Sequence, residues 1–294
     1  MAFVVTVLWS SSWVLIRVGL DETELRPLTF AGLRYFLAAF VLTPWILRGT
    51  RQRTHTGGGE GLGRWWWAPL VALGVVQYAL TQGSQFVAIE AQPAATTSLV
   101  LAATPMLVAV GGVFLDEPPR SGHLVGAVLA VVGAVIYFRG DLGASPVGMV
   151  AAGVTVFSNA GSVLIGRSVN RQRHLDAGVV TIVSMSIGAV MLLGVGVAVE
   201  GIPDLGARSL AILGWLSVVN TAAAFTMWNT ALRQLPAIDA AAIQNTMGIQ
   251  IPLLAWIALD QPLGAAELAG LGCAALGAWV AVSTSQRNDL RRRQ

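Results

Sequence analysis

The sequence predicts an all-α integral membrane protein of ten transmembrane helices, arranged as two inverted five-helix repeats. Three observations carry this expectation. Of the 294 residues, 55% are hydrophobic and only 11% charged, where a soluble domain carries roughly 25% charge. The apolar runs each reach about 20 residues, the length a helix needs to cross hydrocarbon. The second half of the chain repeats motifs of the first in the same order and at nearly constant spacing.

The expected spans are residues 3–20, 27–47, 66–86, 94–115, 121–138, 146–166, 177–198, 209–230, 237–258 and 265–283. Span 1 follows Met1 at once, without the basic segment of a signal peptide, and reads as a membrane helix rather than a leader. Backbone groups find no water in hydrocarbon, so such runs must be helices or a closed barrel. The absence of dyad alternation selects helices. Trp65, Trp66 and Trp67 open span 3 and read as interfacial anchors. The loop from Arg48 to Arg64 holds Gly57-Gly58-Gly59. It lacks the Gly-Lys-Ser/Thr ending and the preceding strand of a phosphate loop, and reads as a basic connector.

All 18 basic residues are arginine, and their placement orients the bundle. With the amino terminus inside, the inner loops and tail collect most of them, while the outer loops hold only Arg26, Arg139 and Arg208. The outer loops instead carry Asp21, Glu22, Glu24, Asp141, Glu200 and Asp204. Both termini are then cytoplasmic in a bacterial-type plasma membrane, with 286–294 as a basic cytoplasmic tail. The arginines sit between apolar runs and form no patch, so the net charge of +3 is no nucleic-acid footprint. The lone Cys273 excludes a disulfide within the chain and leaves the redox compartment unread. His55, His123 and His174 lie in loops or at span ends without metal-ligand spacing, and no cofactor or metal is expected. No His-Glu-x-x-His, Gly-x-Ser-x-Gly or Walker A motif occurs, which argues against an enzyme and against energy from nucleotide hydrolysis.

The repeat rests on three matches. Ala88-Ile89-Glu90-Ala91-Gln92-Pro93-Ala94 resembles Ala231-Leu232-Arg233-Gln234-Leu235-Pro236-Ala237, 143 residues on. Leu115-Asp116-Glu117-Pro118 resembles Leu259-Asp260-Gln261-Pro262, 144 residues on. Gly126, Ala130, Gly133 and Ala134 map onto Gly270, Ala274, Gly277 and Ala278, again 144 residues on. The halves are 1–141 and 142–285. Each holds five spans, an odd number, so the second copy enters the membrane upside down. Inverted repeats around a midplane site are a common architecture of secondary transporters. The small residues of spans 5 and 10 share one helical face, which lets helices approach closely in lipid. These spans pack against each other or, as a homodimer, against a neighbouring subunit.

The chain resembles the EamA-like branch of the drug/metabolite transporter superfamily over nearly its whole length. The residues that carry the resemblance are Trp9-Ser10-Ser11-Ser12, Pro27 to Arg34, Pro105 through Asp116-Glu117, Asn220 to Phe225, Trp228 to Leu232, and Pro236-Ala237. The resemblance implies export or exchange of amino acids, related metabolites or drugs, through a cavity lined mainly by spans 1, 3, 4, 6, 8 and 9. Span 1 has no glutamate, unlike the small multidrug relatives, so their device for proton coupling is not expected here.

Polar side chains inside spans usually face a cavity or a partner helix. The expected substrate-binding residues are Trp9, Ser12 and Trp13 in span 1, Tyr78 and Gln82 in span 3, Asn159 in span 6, Trp228 in span 8, and Gln244 and Asn245 in span 9. Gln85, Ser158, Ser162, Asn220 and Asn229 belong to the same polar set. Amides and hydroxyls hold polar zwitterions, and aromatic faces hold apolar or cationic groups. The expected partners are therefore a small-molecule substrate and the lipid bilayer. Arg17 and Arg34 either meet a substrate carboxylate or snorkel to the outer interface, with Glu90 as a counterion. The latter reading is the favoured one. Asp239, near the inner end of span 9, reads as solvated at the interface in preference to a gate. A membrane enzyme, a channel and a scaffold without carrier activity are the competing classes.

Overall fold

A computed structural model describes residues 1–54, 64–138, 143–172, 174–259 and 264–293, with the backbone alone at 45–54, 64–65, 138, 282 and 285–293. Among the described residues the chain forms ten helical rods and no strand. Gly57-Gly58-Gly59, the 141/142 boundary and Asp260-Gln261-Pro262 lie outside them. The rods are α1 (Ala2–Glu22), α2 (Pro27–Thr54), α3 (Arg64–Leu73, Gly74–Thr81 and Gln82–Ala91 end to end), α4 (Ala94–Leu115), α5 (Ser121–Phe138), α6 (Pro146–Arg171), α7 (Ala177–Glu200), α8 (Ala207–Ala231), α9 (Ala237–Leu259) and α10 (Ala265–Arg293).

Each expected span corresponds to one rod. Several run longer than expected because polar turns continue the helix: α2 extends to Thr54, and α10 continues through the basic tail to Arg293. The starts follow local chemistry. Pro27 and Pro146 sit in the first turn of α2 and α6, where the missing N–H costs nothing. Ser145 Oγ accepts from the Gly148 N–H at 2.9 Å, and Asp176 Oδ1 from the Gly178 N–H at 2.9 Å, satisfying free donors at helix starts. The Glu200 carboxylate at the end of α7 accepts the Leu28 and Thr29 N–H groups at 3.0 and 2.7 Å, capping α2 from the other half of the chain.

The packing exchanges the two halves. α5 packs along α10, and α2 along α7; α3 lies against α6 and α7, as α8 lies against α1 and α2. The smallest residues show the direction. A Cβ on Gly126 would stand 2.5 Å from the Gly277 carbonyl oxygen, and one on Gly133 would stand 2.6 Å from that of Gly270. The early turn of α5 thus meets the late turn of α10, and the reverse, so these repeat-equivalent helices run antiparallel. A two-fold that superposes antiparallel partners lies perpendicular to them, within the membrane plane. This is the inverted arrangement, and α5 and α10 fill each other's small-residue face.

Gly133→Ala should destabilise this seam, because the added methyl meets backbone that cannot yield. A loss of about 1–3 kcal/mol is expected, read as a lower Tm in detergent. Gly153→Ala, where a Cβ would meet nothing within 4 Å, should leave Tm unchanged.

Candidate functional site

A cavity of about 790 Å³, its open mouth included, lies where the halves meet. Its lining repeats itself. α1 contributes Trp9, Ser12 and Trp13, and α6 contributes Asn159, Ser162 and Val163, each 150 residues on. α3 contributes Gln82 and Gln85, and α8 contributes Phe225 and Trp228, each 143 residues on. α4 contributes Ser98, Leu101, Thr104 and Pro105, and α9 contributes Ala241, Gln244, Met247 and Gly248, again 143 residues on. The cavity therefore sits on the pseudo-two-fold. Equivalent places differ in chemistry, with amides from α3 facing aromatics from α8.

Asn245 also lines the cavity, at the turn that interrupts α9 between Gln244 and Met247. Of the residues expected to bind solute, Tyr78 alone is absent from the lining. It is fully buried and stands behind the wall, with its ring 5.6 Å from Tyr35 and 5.1 Å from Phe225. The cause is local. Gly74–Thr81 is π-helical, so the face shared with Gln82 and Gln85 advances by five residues and reaches Gln77, a lining residue, instead of Tyr78. The equivalent stretch of α8, Val218–Ala223, is π-helical as well. Such bulges are frequent at functional positions in helices.

Trp9 packs on Phe225 and Trp228 with ring centroids 4.8 and 5.1 Å apart, forming an aromatic wall. The Tyr35 hydroxyl donates to Gln82 Oε1 at 2.6 Å, and Gln244 Nε2 donates to Asn159 Oδ1 at 3.3 Å. Trp9 Nε1, Thr104 Oγ1 and Gln244 Oε1 are sealed without a hydrogen-bond partner among the described residues. Unsatisfied buried polar atoms are rare in folded chains, and here three belong to lining residues. Ser12 bonds back to the Trp9 carbonyl at 2.6 Å. Asn220 and Asn229 serve helix packing: Asn220 donates to the Leu8 carbonyl and to Ser11 Oγ, and Asn229 donates to Thr181 Oγ1 at 2.9 Å. Ser158 donates to the Val154 carbonyl at 2.7 Å.

Arg34 lines the cavity and is only 2% exposed. It does not snorkel. Its Nε donates to Thr221 Oγ1 at 2.6 Å and its Nη2 to the Asn220 carbonyl at 3.3 Å, ties that hold the guanidinium at depth. Arg17 does reach the helix ends, where it pairs with Asp21 at 2.7 Å and donates to the Ile89 carbonyl at 2.8 Å. It meets Glu90 through the backbone carbonyl, at 3.3 Å, rather than the carboxylate.

One end of the bundle is latched across the halves. Arg167 on α6 pairs with Glu117, just past α4, at 2.8 Å and donates to the Leu232 carbonyl at 2.9 Å. The other oxygen of Glu117 accepts the Ala237 N–H at 2.8 Å and so caps α9. Asp116, in the left-handed region at φ 57°, turns the chain so that Glu117 reaches this point. Asp239 sits beside the latch, its carboxylate 3.0 Å from His123 Nε2 and its side chain 14% exposed, so it is paired rather than freely solvated. Arg17 and Arg167 lie 150 residues apart, and their carbonyl partners Ile89 and Leu232 lie 143 apart. The same contact therefore recurs in both halves, and among the described residues only Arg167 also engages a carboxylate just past the fourth helix of the opposite half.

Comparison with known proteins agrees with this architecture. The model of the EamA-like transporter family matches the chain twice, at residues 1–139 and 146–283. A "Probable amino-acid metabolite efflux pump" of Escherichia coli (strain K12) is 25% identical over 245 residues, covering 79% of this chain and 77% of that protein. A protein of the same name from Salmonella typhimurium (strain LT2) is 23% identical over 283 residues, covering 92% and 89%. A solved structure described as "Crystal structure of protein" superposes with a TM-score of 0.69 at 18% identity, covering 95% of this chain and 98% of that one. This likeness shows the fold.

Proposed function

The chain belongs to the EamA-like transporter family, and from that premise we propose that it is a secondary carrier which exports or exchanges amino acids or related amphiphilic metabolites by alternating access. One observation supports this reading above the others: the cavity is lined by repeat-equivalent positions of both halves. Two inverted copies can trade conformations, and a site on their axis is then reached from each side in turn. The mixed lining suits such solutes, since amides pair with polar groups while Trp9, Phe225 and Trp228 take apolar bodies. The names of the two bacterial relatives agree with this solute class.

The arginine distribution supports an orientation with both termini in the cytoplasm. On that reading the Glu117–Arg167 latch lies at the cytoplasmic end, and its closure leaves the cavity to be reached from outside. Ion pairs and backbone bonds that join α4, α6, α8 and α9 at one end must break when that end opens.

Reconstitution in liposomes tests the proposal. Liposomes preloaded with an amino-acid mixture should accumulate labelled solute by counterflow, and the rate should saturate. Gln82→Leu and Asn245→Leu should each lower the rate about tenfold, the equivalent of one lost hydrogen bond of roughly 1.4 kcal/mol, without reducing membrane insertion. Non-saturating flux would make the protein a channel, and absence of flux would leave an enzyme or a scaffold.

A further inference from the structure

We infer that Arg34 is an anchor for the anionic group of a solute, and that the cavity takes carboxylates with an apolar body in preference to amines. The inference deepens the carrier reading and rests on it for the word solute; the binding site itself does not depend on transport. A guanidinium has five N–H donors. In Arg34 one goes to Thr221 Oγ1 and one to the Asn220 carbonyl. The remaining three have no protein acceptor among the described residues. Its charge is equally uncompensated: no carboxylate pairs with it there, and no aspartate or glutamate lines the cavity. The Tyr35 and Phe86 rings, with centroids 5.3 and 5.9 Å from Arg34 Cζ, supply negative faces but no counterion.

A cation buried in this way is costly unless something of opposite charge completes it. The open side of Arg34 is the cavity, so the completing group comes from there. Gln82 adds a second donor. Its Oε1 is occupied by the Tyr35 hydroxyl, which leaves its Nε2 to donate. A guanidinium fork beside an amide N–H₂ suits the two oxygens of a carboxylate. An ammonium group finds no such partner, only neutral acceptors such as Gln244 Oε1 and ring faces. Arg34 has no lining counterpart on α7, so the charge is a departure from the two-fold that most of the lining follows.

The test uses three probes on one phenylpropyl skeleton, 3-phenylpropionate, its isosteric amide 3-phenylpropanamide and 3-phenylpropylamine, titrated against purified protein with tryptophan fluorescence as the readout. Trp9, Trp13 and Trp228 line the cavity, so occupancy is reported directly. The acid should bind roughly 30-fold tighter than the amine, since a buried charge left unpaired weakens binding by at least that factor. Arg34→Gln should erase the advantage of the acid over the amide, and Arg34→Lys should keep part of it. If the amine binds wild-type protein as tightly as the acid, or no probe binds at millimolar concentration, the inference is overturned, whether or not Arg34→Gln folds. An acid advantage that survives in folded Arg34→Gln overturns it too. Counterflow separates the two proposals: binding of the acid without exchange retains the anion site and removes the carrier, while saturable exchange of neutral or cationic solutes alone does the reverse.

Discussion

Glu117→Gln should shift the balance between the two access states by roughly 30-fold toward the one open at the latch end. The glutamate joins three elements at once. One oxygen neutralises Arg167 at 2.8 Å while the other caps α9 through the Ala237 N–H at 2.8 Å. Both side chains are about seven-eighths buried, at 13% and 14% exposure, so their attraction is poorly screened. A glutamine keeps the volume and one acceptor but leaves the Arg167 charge uncompensated. The expected penalty is about 2 kcal/mol, below the 3–5 of a fully buried pair because some solvent reaches the site. A carrier must visit both states, so a shift of this size should also slow exchange. Arg167→Gln should act through the same pair, and the double variant should be less impaired than the two single effects combined. Additive losses measured by counterflow would separate the two residues.

Trp228→Ala should have the largest effect on stability. The side chain is 2% exposed, packs on Trp9 and forms part of the cavity wall. Because lipid is as apolar as the protein interior, water exclusion contributes little here, and the loss is mainly of dispersion contacts around a new void. About 2–3 kcal/mol is expected, read as a lower Tm in detergent, together with loss of binding of aromatic solutes. Trp228→Phe should recover most of the Tm.

Most of the scaffold is legible in the sequence because lipid imposes simple rules. Apolar length marks the rods, proline and Ser145 or Asp176 mark their starts, and the matched prolines Pro93 and Pro236 mark the repeat. The faces of α1 and α6 follow the ordinary helical period, so Trp9, Ser12, Trp13, Asn159 and Ser162 meet as their spacing suggests. The face of α3 does not. A π-helical stretch changes the period from within, and no 3.6-residue pattern distinguishes Gln77 from Tyr78. The repeat offset also changes along the chain, from 143 between α3 and α8 to 150 between α1 and α6, which hides the correspondence of Arg17 with Arg167.

The latch and Arg34 needed the fold. Glu117 finds Arg167 fifty residues away, and only the fold brings those ends together. An arginine inside a span can snorkel or stay at depth. The choice is made by Thr221 and Asn220 on α8, which no local pattern connects to α2. The signal present in the sequence was the motif Leu115-Asp116-Glu117-Pro118, whose second copy replaces the acid by Gln261. That single difference leaves the carboxylate that follows the aspartate in one half only.

The most direct test of alternating access around the shared cavity is one-sided labelling of a single cysteine at its wall. Asn245→Cys in a Cys273→Ser background is reacted with an impermeant thiol reagent, added to either face of sealed, oriented membranes. With the latch intact, reagent on the face away from Glu117 should react, and reagent on the latch face should not. Adding Glu117→Gln should reverse that preference. Equal labelling from both faces at once with the latch intact would describe a continuous pore and contradict a carrier.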